Sequence, residues 1–331
     1  MMNKKERIYR AVRGEKPDKL PYAIWTHLPG IDMDPERLAD ATYDFFKTYD
    51  TDLIKTMNNG MYAIEDFGCE IDYSGIRKGG VAKLVSTPIN SIEDWGKIVP
   101  MKIDECKAIQ RELYSLKLLL EKVKEDDVPV IFTVFSPFTT ANKLRGGKIL
   151  EDIATGKTEK IHDALAMIAE LTSELVKKAI GLGADGVFFA SQMSSYDVTD
   201  EKTFREFGEY YDRIVLNAST GTCDTIHCHG TNIMFDILKE YPVDIFNWHA
   251  WESAPSLEEA KAIGKCVMGG LDRRDITERN YDKISYQISE CLKTFQNRNH
   301  ILAPGCVIRY PLDKETLAYI KKTADELQGL N

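Results

Sequence analysis

Three side chains of this 331-residue sequence have the types and placement to hold a transition metal. His227 and His229 stand two apart in the run Asp224-Thr225-Ile226-His227-Cys228-His229-Gly230, and Cys306 follows the turn-forming pair Pro304-Gly305. Side chains alternate along a strand, so two imidazoles in a strand at 224–229 face one way near its carboxyl end while Cys228 faces the other. Two imidazoles and a thiolate, with a fourth position open, make the donor set of a catalytic zinc site. The competing reading makes the histidines a hydrogen-bonded polar pair and the cysteine a packing residue; spacing alone leaves both standing.

Other residues are placed to meet a small substrate. His27 follows the first expected strand, and the run Trp248-His249-Ala250-Trp251-Glu252 follows the sixth, both in loop positions suited to binding. Trp25 and Trp248 offer aromatic faces there and would serve equally well as core. Asn142 and Gln192 complete the substrate set, though each is also an ordinary loop residue. Asp272, in Gly269-Gly270-Leu271-Asp272, reads as a helix N-cap.

The elements that must position these groups alternate. Apolar runs at 20–25, 52–57, 128–135, 184–189, 224–229, 243–248, 266–269 and 300–303 read as eight strands, most of them followed by a helical spacing such as 35–49, 161–182, 201–218 and 281–296. That is the α/β pattern of a (β/α)8 TIM barrel, in which the carboxyl ends of the strands carry the site. A doubly wound sheet is the alternative, but no Gly-x-Gly-x-x-Gly turn follows any strand. One domain is expected over 1–331. Around 66–127, between the second and third strands, an insertion with too few apolar positions for its own core is expected.

Composition bounds the partners. With 43% hydrophobic and 29% charged residues the chain can bury a large core, and its net charge of -9 argues against nucleic acid, whose backbone demands cations. No apolar run reaches the roughly 18 residues of a membrane span, and no leader-like apolar segment follows the amino terminus, so no membrane partner is expected and the expected location is the cytoplasm. Seven scattered cysteines, an odd number, fit reduced thiols.

Four segments together carry a likeness: Glu6-Arg7-Ile8 through Gly14-Glu15-Lys16-Pro17-Asp18, Gly183-Ala184-Asp185-Gly186, Gly269-Gly270-Leu271-Asp272 and Pro304-Gly305-Cys306. On these the chain resembles the uroporphyrinogen decarboxylase superfamily, which includes cobalamin-dependent methyltransferases, over nearly its whole length. The resemblance implies the same barrel. The decarboxylase branch has an arginine-rich segment where this chain has Trp25-Thr26-His27-Leu28-Pro29-Gly30, a histidine where it has Cys306 and a tyrosine where it has Lys143. The methyltransferase branch is closer, with a zinc motif His-x-Cys-Gly and a later Pro-Gly-Cys; His229 stands where that branch has cysteine. His229 is then a ligand of different charge, or Cys228 replaces it by a local shift, or the metal is absent. An imidazole for a thiolate leaves the zinc site at net +1, a stronger Lewis acid. The implied activity is methyl transfer between a small methylated substrate, such as an aryl methyl ether, and the cobalt of a corrinoid carried by a partner protein. Transfer from methyl-corrinoid to a thiol or tetrahydrofolate acceptor, decarboxylation, and a non-catalytic ligand-binding barrel are the alternatives.

Overall fold

The computed structural model describes residues 2–75, 82–309 and 311–329. Its strands are β1 (Ile54–Lys55), β2 (Glu70–Asp72), β3 (Lys83–Ser86), β4 (Val130–Phe135), β5 (Gly186–Ser191), β6 (Thr225–Cys228), β7 (Ile245–Trp248), β8 (Cys266–Leu271) and β9 (His300–Pro304). Seven form one parallel sheet in the order β1-β4-β5-β6-β7-β8-β9. Their residues are buried on both sides, as parallel strands covered by helices must be.

The first expected strand closes the ring without becoming a regular ladder. Leu302 N donates to Pro21 O at 2.8 Å, Ala23 N to Leu302 O at 2.9 Å, and Asp52 N to Tyr22 O at 2.7 Å, so the segment bridges β9 to the chain entering β1. Pro21 has no N–H to give, which keeps the pairing to single bridges. The architecture is TIM-barrel-like, as the sequence pattern indicates.

Side-chain alternation divides the apolar residues into two layers. Val187 and Phe189 of β5, Ile226 and Cys228 of β6, and Phe246 and Trp248 of β7 pack outward against helices. Phe188 of β5, Ile245 of β7 and Met268 of β8 pack inward. His227 and Asn247 share that inward parity.

Of the stretch expected as an insertion, the helix Lys107–Lys122 packs between the helices Pro35–Tyr49 and Glu159–Leu182 and belongs to the outer ring. Within the same stretch β2 and β3 form a separate antiparallel two-stranded sheet; residues 76–81 lie outside the described residues. The helix Pro137–Leu144 was not legible in the apolar periodicity, yet its start is written in Ser136-Pro137: the Ser136 hydroxyl accepts from Thr139 N at 3.1 Å and Pro137 fills the first turn. This helix brings Asn142 and Lys143 to the carboxyl-end mouth. Asp272 does cap the helix Arg273–Glu278, accepting from Arg274 N at 2.8 Å. No helix among the described residues is long and apolar enough to cross a membrane.

Candidate metal centre

His227 sits on β6 with its ring inside the barrel, stacked on Phe188 at 5.0 Å between centroids, and Phe188 in turn meets the edge of Trp25 at 5.6 Å. Its two nitrogens have different partners. Nδ1 lies 2.5 Å from Asn247 Oδ1, and Nε2 lies 3.8 Å from Cys306 Sγ. Asn247 settles which nitrogen carries the proton: its Nδ2 donates to the carbonyls of Met268 at 2.7 Å and Pro304 at 3.4 Å, groups that can only accept. Its Oδ1 therefore faces His227 as an acceptor, Nδ1 holds the proton, and the Nε2 lone pair is turned toward Cys306.

The third member is His249, one residue past β7. Ligand atoms of His227, His249 and Cys306 all lie within 4.8 Å of one another, and the three residues are buried. For bond lengths of about 2.1 Å to nitrogen and 2.3 Å to sulfur, tetrahedral ligands stand roughly 3.6 Å apart, close to the Sγ–Nε2 separation. His249 Nε2 is buried without a hydrogen-bond partner among the described residues. Leaving such an atom dry and unpaired costs about 1–3 kcal/mol, which a metal at that nitrogen removes. The donor set thus fits zinc.

Electrostatics keep the imidazoles in the form a metal needs. Burial first, then His249 and His229, hold His227 far below its ordinary value. Burial, with His229 and Arg273, takes His249 down to about 3. Burial pushes the Cys306 thiol up, against the pull of Arg273 and Lys55. A metal would have to displace that proton.

The turn that delivers Cys306 needs Gly305. A Cβ there would lie 2.6 Å from Trp248 O and 2.7 Å from His249 Cα, so only glycine lets this turn lie against the end of β7.

The sequence-derived set is brought together in part. His227 and Cys306 meet; His249, expected at the substrate, occupies the third corner. His229 is half-buried beside the trio, its ring centroid 6.0 Å from that of His227 and 4.9 Å from that of His249. Cys228 is wholly buried in the outer layer, which removes it as a replacement ligand. Trp25 is buried within the barrel beneath His227. Trp248 points outward, its indole N–H on the carbonyls of Ser253 and Pro255, and so packs between sheet and helices instead of facing the mouth. His27 is exposed at the mouth, its imidazole lowered by the surrounding chain and by Lys55 and Lys143. Asn142 and Gln192 are half-buried there, and Asn142 Oδ1 has no hydrogen-bond partner among the described residues. Asn247, Lys55 and Arg273, which pairs with Glu252 at 3.1 Å, escaped sequence reading. The signal for the first lay in parity: Asn247 and His249 repeat, one strand on, the alternation of His227 and His229.

A family model for uroporphyrinogen decarboxylase (URO-D) matches residues 3–327. The chain belongs to that family. Among characterised relatives, the methylcobamide:CoM methyltransferase MtaA of Methanosarcina barkeri is 24% identical over 97% of both chains. The methylcobamide:CoM methyltransferase MtbA of Methanosarcina mazei is 22% identical over 65% of this chain, which spans 66% of that relative, just under two thirds of its length. A uroporphyrinogen decarboxylase of Trichodesmium erythraeum is 24% identical over 78% of this chain and 74% of its own. A solved methyltransferase structure from Methanosarcina mazei superposes with a TM-score of 0.81 at 19% identity, covering 99% of this chain and 100% of that one. A B12-independent methionine synthase from Shewanella gives 0.57 at 15% identity, covering 95% of each chain. These superpositions speak for the fold.

Proposed function

We propose that this URO-D family member is a zinc-dependent methyltransferase that moves a methyl group between the cobalt of a corrinoid on a partner protein and a small molecule. The observation that carries this reading is the buried trio His227, His249 and Cys306 at the barrel mouth. The relationship to a methylcobamide:CoM methyltransferase over 97% of the chain supports it. We carry over the direction in those relatives' names, from methyl-corrinoid to a small thiol; transfer from a methylated donor such as an aryl methyl ether would use the same residues. Porphyrinogen decarboxylation has less support, because the loop Thr26-His27-Leu28-Pro29-Gly30 offers no arginine for substrate carboxylates.

Bound by two neutral imidazoles and one thiolate, zinc would supply a Lewis acid of net charge +1 with a position open to the small molecule. The chain's own groups do the rest. Asn247 fixes the His227 tautomer and ring plane, the role of an outer partner to a ligating histidine. Phe188 and Trp25 close the space beneath His227 to water, which strengthens every charge interaction above them. We infer that His229, whose ring centroid lies 4.9 Å from that of His249, would take the open position in the absence of substrate.

Purified protein incubated with methylcob(III)alamin and a panel of thiols, and with cob(I)alamin and methoxylated or methylamine donors, tests this by corrinoid absorbance. We expect about one zinc per chain, transfer lost on chelation and restored by zinc, and transfer lost in His227→Ala and Cys306→Ala. A metal-free protein with full activity after chelation would sink the reading.

A further inference from the structure

An imidazole that holds a metal through one nitrogen needs a partner for the other. For His227 that partner is Asn247, a neutral amide. For His249 the corresponding group is an acid: Glu252 Oε2 lies 3.9 Å from His249 Nδ1, while Nε2 is the buried nitrogen with no hydrogen-bond partner among the described residues. Glu252 is not one of the three residues whose ligand atoms fall within 4.8 Å of one another. It stands behind a ligand.

The carboxylate is fixed from two sides. Glu252 N and Ser253 N both donate to His249 O at 3.0 Å, so the chain folds back and sets the Glu252 side chain beside the ring three residues earlier. That turn passes through Trp251 at φ 71°, a left-handed conformation that a side chain other than glycine keeps only where its surroundings hold it. The hold is visible: Trp251 Nε1 donates to Gly270 O, on β8, at 2.9 Å. From the other side Arg273, directly after β8, donates through Nε to Glu252 Oε1 at 3.1 Å and through Nη2 to Oε2 at 3.4 Å. The Glu252 side chain is only 10% exposed, so this fork works in a sheltered place. A carboxylate has about four acceptor positions and the fork uses two of them. One of those left, on Oε2, is the one available to His249.

We propose that Glu252, held by Arg273, is the outer carboxylate of the metal centre: it accepts the Nδ1 proton of His249 and so fixes that ring with Nε2 turned to the metal. It is a positioning residue, acting on the metal only through His249. The inference rests on the metal centre of the proposed function and is independent of the methyl transfer. A charge-assisted bond of about 2.8 Å is reached from the present separation by roughly 1 Å of side-chain movement, and such bonds tighten when a site takes up its ligand. The charge matters as well as the direction. Zinc held by two neutral imidazoles and one thiolate keeps a net +1, and a carboxylate on the Nδ1 proton makes His249 the more basic of the two imidazole donors, since Asn247 brings no charge to His227.

Zinc and cobalt(II) affinities of the purified full-length protein, measured by competition with a chromophoric chelator, test this together with the visible d–d bands of the cobalt form. In Glu252→Leu the zinc affinity should fall about 10–100-fold and the cobalt bands should shift. Glu252→Gln keeps an acceptor without the charge and should restore part of the loss. Arg273→Met leaves the carboxylate but frees it, and should lose less than the leucine variant. The unfolding midpoint of the metal-stripped proteins is the control. A carboxylate that only joins the two loops would lower that midpoint and leave the affinity and the cobalt bands of the folded protein unchanged, which overturns the proposal. A wild-type chain that binds neither metal overturns it together with the metal centre, whereas a zinc-binding wild type with equally tight Glu252 variants overturns the role of Glu252 alone. Glu252→Gln carries the test if the leucine variant fails to fold, with a weaker zinc affinity expected and an unchanged affinity and spectrum against the proposal.

Discussion

At the scale of single residues, the centre depends on which nitrogen of His227 is bare. Asn247 decides this through an amide whose own orientation is dictated by two carbonyls, so three backbone and side-chain groups conspire to aim one lone pair. Asn247→Leu removes the acceptor while keeping volume. Zinc affinity should fall about 10–100-fold, by competition with a chromophoric chelator, as for other outer partners of ligating histidines. An unchanged affinity would mean that the His227 ring is held by Phe188 packing alone. The other buried histidine, His300, has no such arrangement: it stacks on Phe295 at 4.2 Å and meets Gly269 O at 3.2 Å, a core role.

At the scale of elements, the centre is assembled by three chain segments that end together: β6 with His227, the residues after β7 with His249, and the turn after β9 with Cys306. Parallel register sets the first two, pairing His227 with Asn247. The third depends on close backbone approach. In Gly305→Ala the new methyl would press on Trp248 O and His249 Cα, neither of which is a flexible side-chain end. Overpacking of this kind costs about 1–3 kcal/mol. We therefore expect a lower unfolding midpoint together with a substoichiometric zinc content in the folded fraction. Full zinc occupancy at wild-type stability would show that the turn can retreat without taking Cys306 away.

At the scale of the whole molecule, the barrel shelters the Lys55 ammonium, which has no carboxylate within 4.0 Å among the described residues, and this has a pH signature. Burial lowers Lys55 to about 8, from an ordinary 10.5. Below pH 8 both folded and unfolded chains carry the ammonium and the folded state bears its full desolvation; between 8 and 10.5 the unfolded chain binds more protons than the folded one, so this group's destabilisation is relieved as pH rises. Lys55→Met should therefore stabilise the protein near neutral pH, on the order of 2–3 kcal/mol by urea unfolding, and the gain should shrink above pH 8. A structural lysine would give the opposite sign.

How much of this was written in the sequence follows from the physics of each signal. Periodicity and turn residues carried seven of the barrel strands and the cap at Asp272, because these depend on neighbours a few positions away, whereas 20–25, expected as a regular strand, makes only isolated bridges. What the helix Lys107–Lys122 packs against was not legible, since contacts with the helices Pro35–Tyr49 and Glu159–Leu182 are made between segments far apart in the chain. His227 and Cys306 were found from residue type and from alternation about a strand. His249 was seen and given a different task, Asn247 and Lys55 were not seen, and Trp248 faces away from the mouth. The sequence by itself determined a TIM-barrel-like chain with metal-capable side chains at its carboxyl-end loops, because strand alternation is a local property. Only the tertiary structure brought His249 within 4.8 Å of His227 and Cys306. Those relations arise between strands far apart in the chain, set by register and by one glycine-permitted backbone contact.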